Sequence, residues 1–177
     1  MGKSETYLTT FDVSAVDYFD LVLDTTVQQE IHVSKDGLKM ACWQASDGPL
    51  SGVPNGISRV VFSEPDLHIP KFLKKFVQKA QSYNEYSEFY PPGSMTGADG
   101  EDMDACSTTS KRKCVVVPHI GANRITMTFT EYYTEHEEST FENPKCLVRS
   151  EVFVKVRSPV IGRAMEQWIL KTSREKV

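Results

Sequence analysis

The sequence predicts an α+β fold: a curved antiparallel β-sheet wrapped around a long C-terminal α-helix, with short helices near the N-terminus. Three observations lead there. Two-residue periodicity dominates the C-terminal half, turn-rich stretches separate the extended runs, and the last element carries a long apolar stripe at helical spacing. The 177 residues, 40% hydrophobic and 25% charged, suit one globular unit spanning residues 1–177. A chain of this size buries about 70% of its unfolded surface and needs neither disulfide nor metal to fold.

Residues 6–12 alternate, with Tyr7, Thr9 and Phe11 opposite Leu8 and Thr10, and read as an opening strand. Ser14 is placed to cap a helix by accepting from a free N–H. Val16, Phe19, Leu21, Val22 and Leu23 follow at mixed helical spacing, so one or two short helices run to about Val33. After the turn signal Lys35-Asp36-Gly37, Leu38, Met40 and Cys42 alternate with Lys39, Ala41 and Trp43 as in a half-buried strand. Glycines, prolines, Asp47 and Asn55 break that strand over 46–56 and supply a mobile loop, after which residues 57–62 resume an extended pattern.

Pro70 opens an amphipathic helix over 70–81, with Phe72, Leu73, Phe76 and Val77 on one face and lysines around them. Tyr83, Tyr86, Phe89 and Tyr90 fit either a strand or a packed loop. Residues 91–110, poor in large apolar side chains and acidic, read as a flexible insertion that buries too little to offset its ordering entropy. Three long β-patterned runs follow at 114–120, 124–133 and 145–156, and Gly121-Ala122-Asn123 is short enough to join the first two as a hairpin. Ile125, Met127 and Phe129 face opposite to Thr126, Thr128 and Thr130. Val148, Val152, Val154 and Val156 likewise oppose Arg149, Glu151, Phe153 and Lys155. Ser158 and Pro159 start the last helix as cap and first residue. Its stripe of Val160, Ile161, Ala164, Met165, Trp168 and Ile169 must bury against the apolar sheet face, leaving Arg163, Glu166 and Lys171 outside.

Charge narrows the partners. A net charge of -4 gives no field to gather phosphate backbones, so nucleic acid is not an expected partner. Lys111-Arg112-Lys113 is short and reads as a solvated edge or helix face. Cys42, Cys106, Cys114 and Cys146 lack finger spacing, so no metal site and no disulfide scaffold is expected, and a reducing, cytoplasmic setting fits. His119, His136 with Glu137 and Glu138, Cys114 and Ser150 are the ingredients available for acid–base or nucleophilic chemistry. None sits in a local catalytic frame, and no nucleotide or cofactor motif occurs, so no catalytic residue and no cofactor is assigned.

A twisted sheet only partly covered by one helix leaves a space between them, a candidate pocket. Trp43 followed by Arg59-Val60-Val61-Phe62, the run 146–155 (CLVRSEVFVK) and the closing segment 161–166 (IGRAME) resemble the START-like, or helix-grip, superfamily, nearest to its VASt-type sterol-binding domains. The resemblance covers nearly the whole length. It implies a cavity for a sterol, phospholipid or other hydrophobic small molecule, with lipid transfer or sensing as the task. The loop 46–56, where glycine supplies hinges, and the helix 70–81, whose apolar and lysine faces suit transient contact with a membrane surface, are the parts expected to move as a lid. The residues expected to line the pocket are Met40, Arg59, Met127, Phe129, Glu131, Val152, Val154, Ile161, Met165 and Trp168. The methionines offer soft nonpolar contact. Trp168 either stacks on a ring or fills the core. Arg59 either anchors a headgroup or sits in a surface ion pair, and Glu131, which interrupts the apolar parity of β-patterned run 124–133, is the polar candidate that could pair with it. The competing functions are a hydrolase or cyclase on the same scaffold and a protein-binding adaptor.

Overall fold

The computed structural model describes residues 2–34, 40–65, 82–94, 108–119 and 123–174. In chain order these form β1 (Lys3–Phe11), α1 (Ala15–Leu23), α2 (Thr25–Ser34), β2 (Met40–Pro49), β3 (Ile57–Pro65), β4 (Tyr83–Tyr90), β5 (Ser110–Pro118), β6 (Ile125–Glu135), β7 (Cys146–Val156) and a C-terminal helix, α3 (Gly162–Arg174). All seven strands join one curved antiparallel sheet in the order β1-β7-β6-β5-β4-β3-β2, the α+β architecture the sequence predicts. Each strand from β2 to β7 lies beside its predecessor, and β1 pairs with β7 at the far edge. The chain therefore has to cross from one edge of the sheet to the other between β1 and β2. Helices α1 and α2 make that crossing: α1 packs on β5, β6 and β7, and α2 packs on β2.

Local chemistry fixes these helices. The Ser14 hydroxyl accepts from the Asp17 N–H at 3.1 Å, and Glu135 of β6 accepts from the Ala15 N–H at 2.7 Å, so a strand carboxylate also binds the positive end of α1. Ala15 and Phe19 are the buried face of α1 and pack with Phe89, Tyr133, Cys146 and Val148. Asp24 closes α1 with its backbone N–H, while its side chain accepts from Thr26 and Val27 at 2.8 and 3.2 Å and starts α2. One residue ends one helix and caps the next.

At the other end of the sheet, Val152, Val154 and Val156 of β7 form a second core cluster with Met165 and Leu170 of α3. The Ser158 carbonyl and hydroxyl take the N–H groups of Gly162 and Ile161 at 3.1 and 3.4 Å, so Ser158 does cap this segment. Regular helix nevertheless starts at Gly162, after a turn, and Val160 stands in solvent at 83% exposure instead of joining the buried stripe. Gly162 comes so near the Val156 carbonyl that a Cβ would lie 2.8 Å from that oxygen. Glu166, expected outside, is buried: it accepts from the Val156 N–H at 2.9 Å and satisfies a donor left over where β7 ends.

Two other expectations change. The strand begun at Met40 is not broken at 46; it pairs through Ser46–Val60, Asp47–Arg59, Gly48–Ser58 and Pro49–Ile57. The connection is a closed turn, with Leu50 donating to Gly56 at 2.9 Å, Gly56 to Val53 at 3.0 Å, and positive φ at Gly52 and Asn55. Glycine and proline thus mark a tight hairpin rather than a hinge. The aromatic stretch 83–90 is a strand in the middle of the sheet. The strand after it begins at Ser110, four residues before Cys114, so that Lys111-Arg112-Lys113 lies inside the sheet and not on a solvated edge. The turn 35–37, the helix 70–81 and most of the insertion, 95–107, lie outside the described residues.

Replacing Glu166 by Ala should lower stability by about 2 kcal/mol, because the Val156 N–H stays buried without an acceptor. Gln at the same position keeps a carbonyl oxygen and should restore most of that loss. Urea unfolding of the two variants beside the parent measures both.

Candidate functional site

Pairing register assigns the inward side chains. Across the sheet, one inner row reads Tyr7, Ser150, Glu131, Arg112, Phe89 and Ile57, and the next reads Val152, Phe129, Cys114, Ser87, Arg59 and Asp47. A third contains Val154, Met127, Val116, Glu85 and Val61. Polar residues thus run obliquely through an inner face that is otherwise apolar. This seam lies between the two core clusters, one under α1 and one under α3.

Arg112 is its centre. Its guanidinium donates to Glu131 Oε2 at 3.1 Å, to Glu85 Oε1, and through Nε to Ser87 Oγ at 3.3 Å. Ser87 donates to the same Glu85 oxygen at 2.9 Å, and Tyr133 donates to Glu131 Oε2 at 2.7 Å. Phe89 lies under the Arg112 guanidinium at 5.6 Å, adding a cation–π contact. Three neighbouring strands, β4, β5 and β6, are thereby tied on one face by two carboxylates and one cation.

The electrostatics follow from burial and charge together. Burial by itself would raise the Glu85 carboxyl, but the Arg112 charge and the Ser87 hydrogen bond outweigh it and hold the group below the usual glutamate value. Arg112 is held firmly cationic: burial opposes its charge, and Glu85 and Glu131 more than reverse that. The phenols of Tyr18 on α1 and Tyr83 on β4 are each pushed up to about 12, by burial first and then by Glu131 and Glu85 respectively. Burial, then Glu85, pushes the Cys114 thiol up, so it is an inert wall residue and not a nucleophile.

Fractional exposure separates sealed residues from lining ones. On β7, Val152 and Val154 are 2% and 0% exposed, closed off beneath α3. Their row partners on β6, Phe129 and Met127, face the same way yet stay only half-buried, as do Ile125 and Glu131. The side chains of Glu85, Arg112 and Glu131 keep 18%, 22% and 20% of their surface accessible while lying on the inner face. On the inner face of β4 to β6, Phe89, Ser87, Cys114, Val116 and Tyr133 are buried, while Glu85, Arg112, Glu131, Phe129 and Met127 keep part of their surface accessible.

The residues expected from sequence divide accordingly. Met127, Phe129 and Glu131 are half-buried on the inner face, Met127 and Phe129 packing at the margin of the cluster beneath α3. Val152, Val154 and Met165 are sealed in the core beneath α3, with Ile161 and Trp168 packed at its margin. Met40 opens β2 opposite Pro65, and its side chain lies outside the described set. Arg59 is placed differently from either expectation. At 3% exposure it grips Asp47 with two hydrogen bonds, at 2.7 and 2.9 Å, and donates to the carbonyls of Val22 and Leu23 at the end of α1. It stacks on the other guanidinium's partner, Phe89, at 4.9 Å. Its donors are engaged with protein, it does not touch Glu131, and its position anchors a helix end. Glu131 pairs instead with Arg112, a residue hidden inside the supposed basic edge. The clue was parity: Arg112 shares its face with Cys114 and Val116, as Glu85 shares one with Tyr83, Ser87 and Phe89. His119 stacks on Phe62 and pairs with Ser82, and His136 accepts from the Glu138 N–H in the β6–β7 loop, so neither histidine joins the seam.

No protein-family model matches the sequence, and no curated protein is similar to it in sequence. Solved structures do resemble the fold. A START superfamily protein from Mycobacterium smegmatis aligns over 97% of this chain and 89% of its own, with 12% identity and a TM-score of 0.51. Norcoclaurine synthase from Thalictrum flavum aligns over 91% of this chain and 80% of its own, with 10% identity and a TM-score of 0.49. The Zhui aromatase/cyclase from Streptomyces sp. R1128 aligns over 89% and 70%, with 9% identity and a TM-score of 0.47. The chain has the START-like fold, as its sequence suggested; nothing in these likenesses singles out the VASt type.

The lowered Glu85 carboxyl gives a signed pH dependence. Its contribution to stability is complete above the ordinary glutamate range and disappears as pH falls through the lowered folded value. Urea midpoints of the parent and Glu85→Gln should therefore converge as pH falls from neutrality through and below the ordinary glutamate range. Midpoints that remain parallel would mean Glu85 has no part in the acid transition. Arg112→Met, which strands two carboxylates, should cost about 3 kcal/mol at neutral pH.

Proposed function

We propose that this chain binds a hydrophobic small molecule, a sterol or other lipid, in the bowl between the sheet and its helices, without chemical turnover. The observation that carries the reading is the contrast across one pairing register: Met127 and Phe129 keep accessible surface while Val154 and Val152 beside them are closed under α3. Apolar side chains left uncovered on a concave face are what a greasy ligand would cover, at about 25 cal/mol per Å² of surface removed from water. The polar seam supplies a few convergent groups to orient such a ligand. Transfer or sensing of lipid inside the cell, with brief contact to a membrane surface, is the task this binding would serve. Among the described residues no helix is long and apolar enough to cross a membrane.

A hydrolase or cyclase on the same scaffold is the second reading, supported by the Glu131–Arg112–Glu85 group facing the bowl. Binding is preferred because the two histidines that could have supplied general acid–base chemistry, His119 and His136, are placed away from that group.

Native mass spectrometry of the chain purified without added lipid, followed by lipid extraction from mixed liposomes, tests the binding reading. A one-to-one adduct is expected, and Met127→Trp, which fills the bowl, should weaken capture by about tenfold, equivalent to about 1.4 kcal/mol. No adduct and no extraction across sterols, phospholipids and fatty acyl chains would overturn it.

A further inference from the structure

We infer that the bowl selects a ligand carrying a protonated amine on an apolar body, held by Glu131 Oε1 and Ser150 Oγ; this rests on the binding reading above and names the ligand class it takes. Two independent observations converge. The first is a charge count on the inner face. Among the described residues Glu85 and Glu131 are both bonded to one cation, Arg112, while Arg59 is matched by Asp47 at the edge of the sheet. Glu135 lies at the N-terminus of α1, Glu166 is bonded to the end of β7, and Glu5 lies out on β1 with the Tyr7 hydroxyl. His32 of α2 is the remaining described base acting on Glu85. Among the described residues the seam thus bonds two carboxylates to one guanidinium. Two carboxylates sharing one guanidinium retain acceptor capacity, which a ligand cation can take up.

The second observation is an orphan. Ser150 is 2% exposed, and its hydroxyl has no hydrogen-bond partner. It lies directly across the β6–β7 ladder from Glu131, between Val148 of one core cluster and Val152 of the other. Cross-strand neighbours hold their Cβ atoms about 5 Å apart, so one ligand atom can reach both side chains. Arg112 and Tyr133 occupy Glu131 Oε2, which leaves Oε1 as the acceptor. An ammonium donates to both oxygens. An anionic headgroup would instead meet Arg112 flanked on both sides by carboxylates.

The test compares decylamine, decanol and decanoate, identical in chain length, as competitors of the neutral dye Nile red at pH 8 and near-physiological salt. Decylamine should displace the dye at concentrations about fivefold lower than decanol and at least about tenfold lower than decanoate. Glu131→Gln should remove the amine's advantage while shifting decanol less than about twofold. Ser150→Ala, which removes the unpaired hydroxyl, should weaken decylamine about threefold without loss of stability, so the proposal remains testable if Glu131→Gln fails to fold. If the dye binds but decanol or decanoate competes as well as decylamine, the amine assignment is overturned and the binding reading stands. If neither dye nor competitor binds, the binding reading fails and the amine assignment with it.

Discussion

One cation between two carboxylates on the inner face of the sheet governs how everything above it packs. Arg112 lies on β5, the fourth of seven strands across, and its partners on β4 and β6 leave it no route to solvent except through the bowl. Burying three charges is tolerable only if each is paired and hydrogen-bonded, and Ser87, Tyr133 and Phe89 complete that environment. An apolar helix laid over such a group would desolvate it further and return nothing. The two helical ends of the molecule accordingly bury apolar surface to either side: α1 on Cys146, Val148, Tyr133 and Phe89, and α3 on Val152, Val154 and Val156. The polar seam separates these two clusters, and a third, Trp43 and Val61 with Ala45, lies toward the β2 edge.

Charged side chains also fix where each helix stops. Arg59 binds the last carbonyls of α1, and Glu135 binds its first N–H, so both poles of the helix dipole meet a complementary charge donated by the sheet. Glu166 does the corresponding work for α3 by joining it to the end of β7. None of these three contacts is a surface ion pair of the kind worth little; Arg59 and Glu166 are 3% exposed. Helices held at their ends by directional bonds cannot slide inward to close the gap.

The sequence was readable wherever periodicity and burial agree. β7 alternates Cys146, Val148, Val152, Val154 and Val156 with outward residues, and α3 carries a stripe, so both could be placed from pattern alone. Pattern reading failed where a charge occupies an inward position. Arg112 between two lysines looks like a solvated run, because the rule that groups like charges ignores which of them shares parity with Cys114 and Val116. Glu166 in the last helix fails likewise: at the helical period it lies beside Met165 and opposite the end of β7, where a backbone donor outbids solvent. Glu131 could be flagged by parity, but its partner could not, since which cation lies opposite depends on a strand register that one sequence does not reveal. Turn residues misled in the opposite direction at 46–49, where Asp47 and Gly48 belong to a strand held in place by the buried Arg59.

These failures share a cause that bears on function. A sheet meant only to fold would place Leu or Val where Arg112, Glu85, Glu131 and Ser150 stand, and replacing buried ion pairs by well-packed apolar residues is often neutral or stabilising. The helices could then approach each other over a continuous dry surface. Holding a polar row open between two apolar halves costs stability and precludes that closure, and for Ser150 no contact within the protein offsets the cost. On the proposed binding reading these residues would form one side of a complex with a small molecule, Met127 and Phe129 covering its body and Glu131 meeting its polar end.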